Sequence, residues 1–163
     1  MFHPEFDSDA VRALANGAFV PYFQPQYNYE TGAMTGAEVL VRWIKDDGGI
    51  KNPGDFIPAF EKDGFIYEMD KNIWDKACAC LSGWRKEGIS LNHISVNVSR
   101  VDFYHEDLAD KLVSTIRKHR LDPSDMHLEV TESAFAEDSN QFIEVLEKLR
   151  EMGFAIEMDD FGS

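Results

Sequence analysis

Cysteine is nearly absent: the chain has only Cys78 and Cys80. They stand two apart in a helical pattern, where side chains point in different directions, so a mutual disulfide is not expected. Two buried thiols in a reducing cytoplasm fit better, and with no further cysteine a thiolate metal site lacks its ligands. Basic residues are also scarce. Lys and Arg number 16 against 30 Asp and Glu, for a formal net charge of -14. Such a surface repels nucleic acid backbones and anionic membrane faces, which argues against a nucleic acid polymer as partner. A small anionic ligand is still admissible, because a metal ion locally reverses the field. No apolar run approaches the roughly 18 residues of a membrane span. The start, MFHPEFDSD, has neither the basic nor the apolar region of a secretory signal. Internal repeats and low-complexity linkers are missing too, so residues 1–163 read as one domain.

What is present is a foldable chain of 163 residues, 44% apolar, enough for one sizeable core. DSDAVRALAN (7–16) has the form of a short helix, with Asp7 or Ser8 as cap and Gly17 as stop. FVPYFQPQYNY (19–29) reads as extended, ETG (30–32) as a turn and MTGAEVLVRW (34–43) as a strand, together a hairpin. Lys45 to Gly54 reads as a polar loop. Helices are expected at 56–64 and 66–88, the second with its apolar face through Ile66, Met69, Ile73, Ala77 and Trp84. Strands at 93–99, 126–132 and 154–162 then alternate with helices at 106–119 and 139–153. That alternation implies parallel strands joined by crossover helices.

The strands carry an unusual polar face. Side chains alternate across a strand, so Ile94, Val96 and Val98 oppose Ser95, Asn97 and Ser99. Leu128 and Val130 likewise oppose His127, Glu129 and Thr131, and Ile156 and Met158 oppose Glu157 and Asp159. Glu38 shares a face with Arg42. A parallel sheet covered on both sides should read almost continuously apolar. Here each strand puts a polar residue near its C-terminal end, where sites form in strand–helix barrels and open sheets. Glu38, Asn97, Glu129 and Asp159 are oxygen donors suited to a hard divalent ion such as Mg²⁺ or Mn²⁺. Any one of them alone fits a helix cap or a surface pair equally well. Asp160 points elsewhere by parity, but at a strand exit it is within reach of a second ion. Two close ions would clamp an in-line phosphoryl displacement.

Six pieces in order then carry a resemblance: FQPQY (23–27), GAEVLVRW (36–43), FIPAFE (56–61), SVNVS (95–99), LEVTES (128–133) and MDDFGS (158–163). The chain resembles the EAL domain family, cyclic di-GMP phosphodiesterases built on a modified triosephosphate isomerase-type barrel. The resemblance implies an α/β fold, an incomplete TIM-like (β/α) barrel of the EAL type with an N-terminal hairpin and about five strands. It implies a truncated domain over 1–163: the N-terminal two-thirds, without the later strands that carry the family's site lysine and a further glutamate. Lys148, in an amphipathic helix, does not replace that lysine.

By the same resemblance Glu38, Asn97, Glu129 and Asp159 hold the first metal and Asp160 helps hold a second. Glu38, Asp159 and Asp160 are then the catalytic set, and Gln24 and Arg42 bind ligand. The implied activity is hydrolysis of cyclic di-GMP to pGpG in the parent protein, with two Mg²⁺ or Mn²⁺ ions in the complete domain. The alternative is a catalytically inactive module that binds cyclic di-GMP or another protein. Expected partners are cyclic di-GMP, a second copy through the sheet edges, and a sensory or diguanylate cyclase-like domain in the parent. Two positions depart from the family pattern. Val39 makes the signature tripeptide EVL, on the face opposite Glu38. Glu157 stands where a small or apolar residue is commoner, on the polar face beside Asp159, either at the lower part of the site or disturbing its metal.

Overall fold

The computed structural model describes residues 6–131, 134 and 140–159, with the Asp159 side chain outside that set. Helix α1 (Ser8–Ala15) starts where the Asp7 carboxylate accepts from the Asp9 N–H at 2.8 Å, satisfying one of the first-turn donors. Strands β1 (Phe19–Tyr27) and β2 (Met34–Ile44) form an antiparallel hairpin, and β2 turns back into a short strand β3 (Ile50–Lys51). Helices α2 (Ile57–Asp63) and α3 (Ile66–Lys86) follow, separated by Gly64 at φ 87°, a left-handed conformation that glycine adopts without steric cost. Then β4 (His93–Val98), α4 (Leu108–Lys118), β5 (Met126–Thr131), α5 (Asn140–Glu151) and β6 (Ile156–Asp159) alternate along the chain.

One mixed sheet results, in the order β1-β2-β4-β5-β6, with β3 paired to β2. The β2–β4, β4–β5 and β5–β6 pairs are parallel. The expectation of an incomplete barrel with about five strands is corrected here: among the described residues the sheet has six strands. The additional one, β3, lies inside the segment read as a polar loop. Two residues are too few to show a period-two pattern, and the strand exists only through pairing of Ile44 with Ile50 and Trp43 with Lys51.

The apolar sheet face fills the core. Ile94, Val96, Val98, Leu128 and Val130 are almost wholly buried against α3, α4 and α5 through residues such as Trp74, Leu112 and Leu149. At the hairpin end Phe19, Trp43, Phe56, Phe60 and Phe65 make tilted and edge-to-face contacts with centroids 4.8–6.3 Å apart. Cys78 is buried and Cys80 half-buried, both as free thiols, and burial pushes the Cys78 thiol up to about 12. Among the described residues no helix is long and apolar enough to cross a membrane.

Candidate functional site

The strand register sets the height of each polar side chain. Glu38 pairs with Ser95, Asn97 with Glu129, and Thr131 with Asp159. From Glu38 to Asn97 the position rises two residues; Glu129 is level with Asn97, and Asp159 lies two residues higher. In a barrel of tilted strands the level plane climbs about one residue per strand. The four positions therefore track one tilted level across β2, β4, β5 and β6. Glu38 is half-buried, Asn97 exposed and Glu129 buried, with only 6% of its surface exposed. The Asn97 amide Nδ2 donates to the Val39 carbonyl at 3.4 Å, and its own carbonyl accepts from Trp74 Nε1 at 3.1 Å. The second bond ties the end of β4 to the middle of α3. Asp159 is placed by its backbone alone, and Asp160 lies outside the described residues.

The two expected ligand-binding residues sit on the hairpin. Gln24 is exposed on β1, directly across from Glu38. Arg42 is half-buried near the end of β2; its Nη1 donates to the Val41 carbonyl at 2.8 Å, and its guanidinium lies 5.6 Å from the centre of the Tyr22 ring. Beside the strand ends a cavity of about 400 Å³ opens between β2, β4 and helices α2 and α3, lined by Val39, Met69, Asp70, Asn97 and Ser99 among others.

Below the first level lies a second polar one; parity put its His127 and Glu157 on the polar face but did not give their height. Gly36, His93, His127 and Glu157 each precede by two residues, or by four in the case of His93 and Asn97, a residue of the upper level. The His93 and His127 rings stack with centroids 3.7 Å apart and planes 4° from parallel. His127 Nδ1 is 2.5 Å from Glu157 Oε1, and Ser95 Oγ donates to Glu157 Oε2 at 3.4 Å. Desolvation, then the charge of His127, lower the pKa of His93, against a weaker opposing pull from Glu157. His93 and His127 were not singled out from the sequence. The available signal was a polar residue at the first or second position of three successive strands.

The family model described as the EAL domain matches residues 7–163. This chain belongs to the EAL family. That match, over all but the first residues, corrects the expectation of a truncated N-terminal fragment. The solved c-di-GMP complex of the PaMucR phosphodiesterase superposes with a TM-score of 0.87 at 36% identity, over 95% of this EAL chain and 63% of that one. Among curated relatives, the signaling protein YkoW of Bacillus subtilis is 37% identical over 93% of this chain and 19% of its own length. The bifunctional diguanylate cyclase/cyclic di-GMP phosphodiesterase MucR of Pseudomonas aeruginosa is 36% identical over 95% of this chain and 23% of its own. The chain thus spans about a fifth of the length of these curated relatives. Within the EAL signature, Val39 is 2% exposed and packs into the core, so its extra bulk is taken up behind the sheet while Glu38 keeps the polar face.

Proposed function

We propose that this EAL domain is a metal-dependent phosphodiesterase that hydrolyses cyclic di-GMP to pGpG with Mg²⁺ or Mn²⁺. The observation that carries the reading is the tilted level of oxygen-donor positions at Glu38, Asn97, Glu129 and Asp159. The donor chemistry fits the ion: carboxylates and an amide oxygen, without sulfur or imidazole at that level, suit a hard cation. Asp160 is assigned to a second ion. Bound there, a divalent ion supplies an acidified water and polarises a phosphoryl oxygen.

The chain's own residues bind and orient. Arg42 receives a phosphate, for which the planar guanidinium fork is matched, and its contact with Tyr22 limits the directions it can take. Gln24, exposed opposite Glu38, contacts the ligand beside the metal level. The likeness to MucR, described as a cyclic di-GMP phosphodiesterase, supports the same substrate. A second copy, and a sensory or diguanylate cyclase-like domain in the same protein, are proposed as partners.

Incubation of the purified chain with cyclic di-GMP and Mn²⁺, followed by chromatography, tests the reading. pGpG is expected to form, to stop on chelation, and to fall about 100-fold or more in Glu38→Gln, the scale of losing one electrostatic stabiliser. Unchanged turnover in that variant would remove Glu38 from the site. Retained ligand binding with no product would instead make the domain a binding module.

A further inference from the structure

We propose that His93, His127 and Glu157 form a separate binding site for a borderline divalent ion of the Zn²⁺ class, beneath the oxygen-donor level. One ligand atom from each residue lies within 4.8 Å of the others. The three come from the starts of three adjacent strands, β4, β5 and β6. Two imidazoles and one carboxylate are the donor set that zinc accepts with a further position left for water, whereas Mg²⁺ prefers oxygen throughout.

The local structure favours coordination over a simple hydrogen-bonded pair. The Glu157 carboxylate engages His127, but among the described residues the ring nitrogens of His93 meet no hydrogen-bond partner. Stacked face to face, the two imidazoles sit side by side at the strand starts, next to the Glu157 carboxylate. A neutral ring offers the lone pair a metal needs. Space for the ring comes from Gly36, where a Cβ would fall 2.6 Å from His93 Cε1 and Nε2. Tetrahedral zinc with bonds near 2.1 Å sets its ligands about 3.4 Å apart, so a tilt of the rings out of parallel closes the present spacing. Ser95 Oγ, already near Glu157, stands ready as an outer hydrogen-bond partner to the carboxylate. At about 3.3 Å per residue, this level lies about 7 Å below the upper one on β5 and β6 and about 13 Å below Asn97 on β4. An ion here would tie β4, β5 and β6 together at their starts.

The test is calorimetric titration of the metal-stripped chain with Zn²⁺ in excess Mg²⁺, with imidazole nitrogen shifts followed by NMR and with Co²⁺ as a spectroscopic substitute. We expect one Zn²⁺ per chain, shifts at both His93 and His127, and a visible Co²⁺ spectrum with nitrogen ligation. His93→Gln and His127→Gln should each weaken Zn²⁺ by more than about 100-fold, beyond the usual loss from an outer-shell partner. Glu38→Gln should leave it unchanged, which separates this site from the phosphodiesterase reading. Zn²⁺ that is displaced by Mg²⁺, that disappears with Glu38→Gln, or that binds a folded double histidine variant as tightly overturns the proposal. So does an intact chain that binds no Zn²⁺ or leaves both histidine signals unmoved, a result independent of how any variant folds.

Discussion

Asp70 on α3 and Asp102, in the turn after β4, share a buried space behind the strand ends. Asp102 accepts from the Ser99 N–H at 3.0 Å, and its carboxyl also lies close enough to that of Asp70 for the two to share a hydrogen bond. Burial is the main cause that raises both pKa values, with Asp102 carried from an ordinary 3.8 to about 6 and Asp70 pushed well up by burial and by the charge of Asp102. At Asp102 the hydrogen bonds with Asp70 and the Ser99 N–H partly offset burial, Glu61 adds repulsion to both acids, and Lys71 opposes it weakly at Asp102. The unfolded chain releases these protons near pH 4, whereas the folded chain holds them longer. In that interval the native state binds more protons, so stability falls as pH rises from about 4 through about 6. Asp102→Asn keeps the acceptor for Ser99 and removes one titration. Thermal melts should show a flatter profile over that range and a midpoint about 2–4 °C higher at pH 8, for a gain near 1 kcal/mol. A variant that keeps the full wild-type slope would show that the pair does not titrate there. These two residues drew no attention in the sequence. Asp70 sits on an amphipathic helix like any solvated acid, and only the packing of the turn after β4 reveals its burial. Glu38, Asn97 and Glu129, by contrast, were legible from strand parity, since a polar residue on an otherwise apolar strand needs a reason wherever the fold places it.

At the scale of elements, helix α3 does more than cover the sheet. Its Trp74, 1% exposed, donates its indole N–H to the carbonyl of Asn97, the residue of β4 proposed to hold the first metal. Trp74→Phe preserves most of the apolar volume and deletes that bond, leaving a carbonyl without its donor. A loss of about 1–3 kcal/mol is expected in urea denaturation. Mn²⁺ affinity should drop severalfold as well, because the Asn97 backbone loses its anchor. Ile73→Val one position earlier removes a methylene at a cost of about 1 kcal/mol and should leave Mn²⁺ affinity unchanged. Equal loss of Mn²⁺ in both variants would reduce the effect of Trp74 to general destabilisation. The long elements were readable because their periods persist: α3 was expected over 66–88 and spans Ile66–Lys86, and β4 was expected over 93–99 and spans His93–Val98. β3 was not, because two residues carry no period. The pairing of the two histidines was also hidden. Periodicity says which face a side chain takes, but the relative height of neighbouring strands is set by register, and register is a property of the packed sheet.

For the whole molecule the dominant quantity is charge. A net -14 on 163 residues surrounds a site proposed to take a ligand with two phosphates. Within the site, Arg42 and the proposed ions would reverse the sign, but at longer range the approaching ligand meets the acidic surface first. The balance between these fields depends on screening, and salt shortens the range from about 30 Å at 0.01 M to about 8 Å at 0.15 M. Long-range repulsion is therefore expected to weaken with salt while the close contacts at Arg42 persist. Stopped-flow association of a fluorescent cyclic di-GMP analogue, at saturating Mn²⁺, should accelerate severalfold across that interval. The usual enzyme for an anionic ligand, with a basic approach, slows instead. Deceleration here would mean that the positive field of Arg42 and its ions extends past the acidic rim, so that the surface charge acts on solubility and not on ligand capture. Acceleration would mean that this surface filters anions by distance, admitting only those that reach the strand ends, where oxygen donors and their cations replace repulsion with binding.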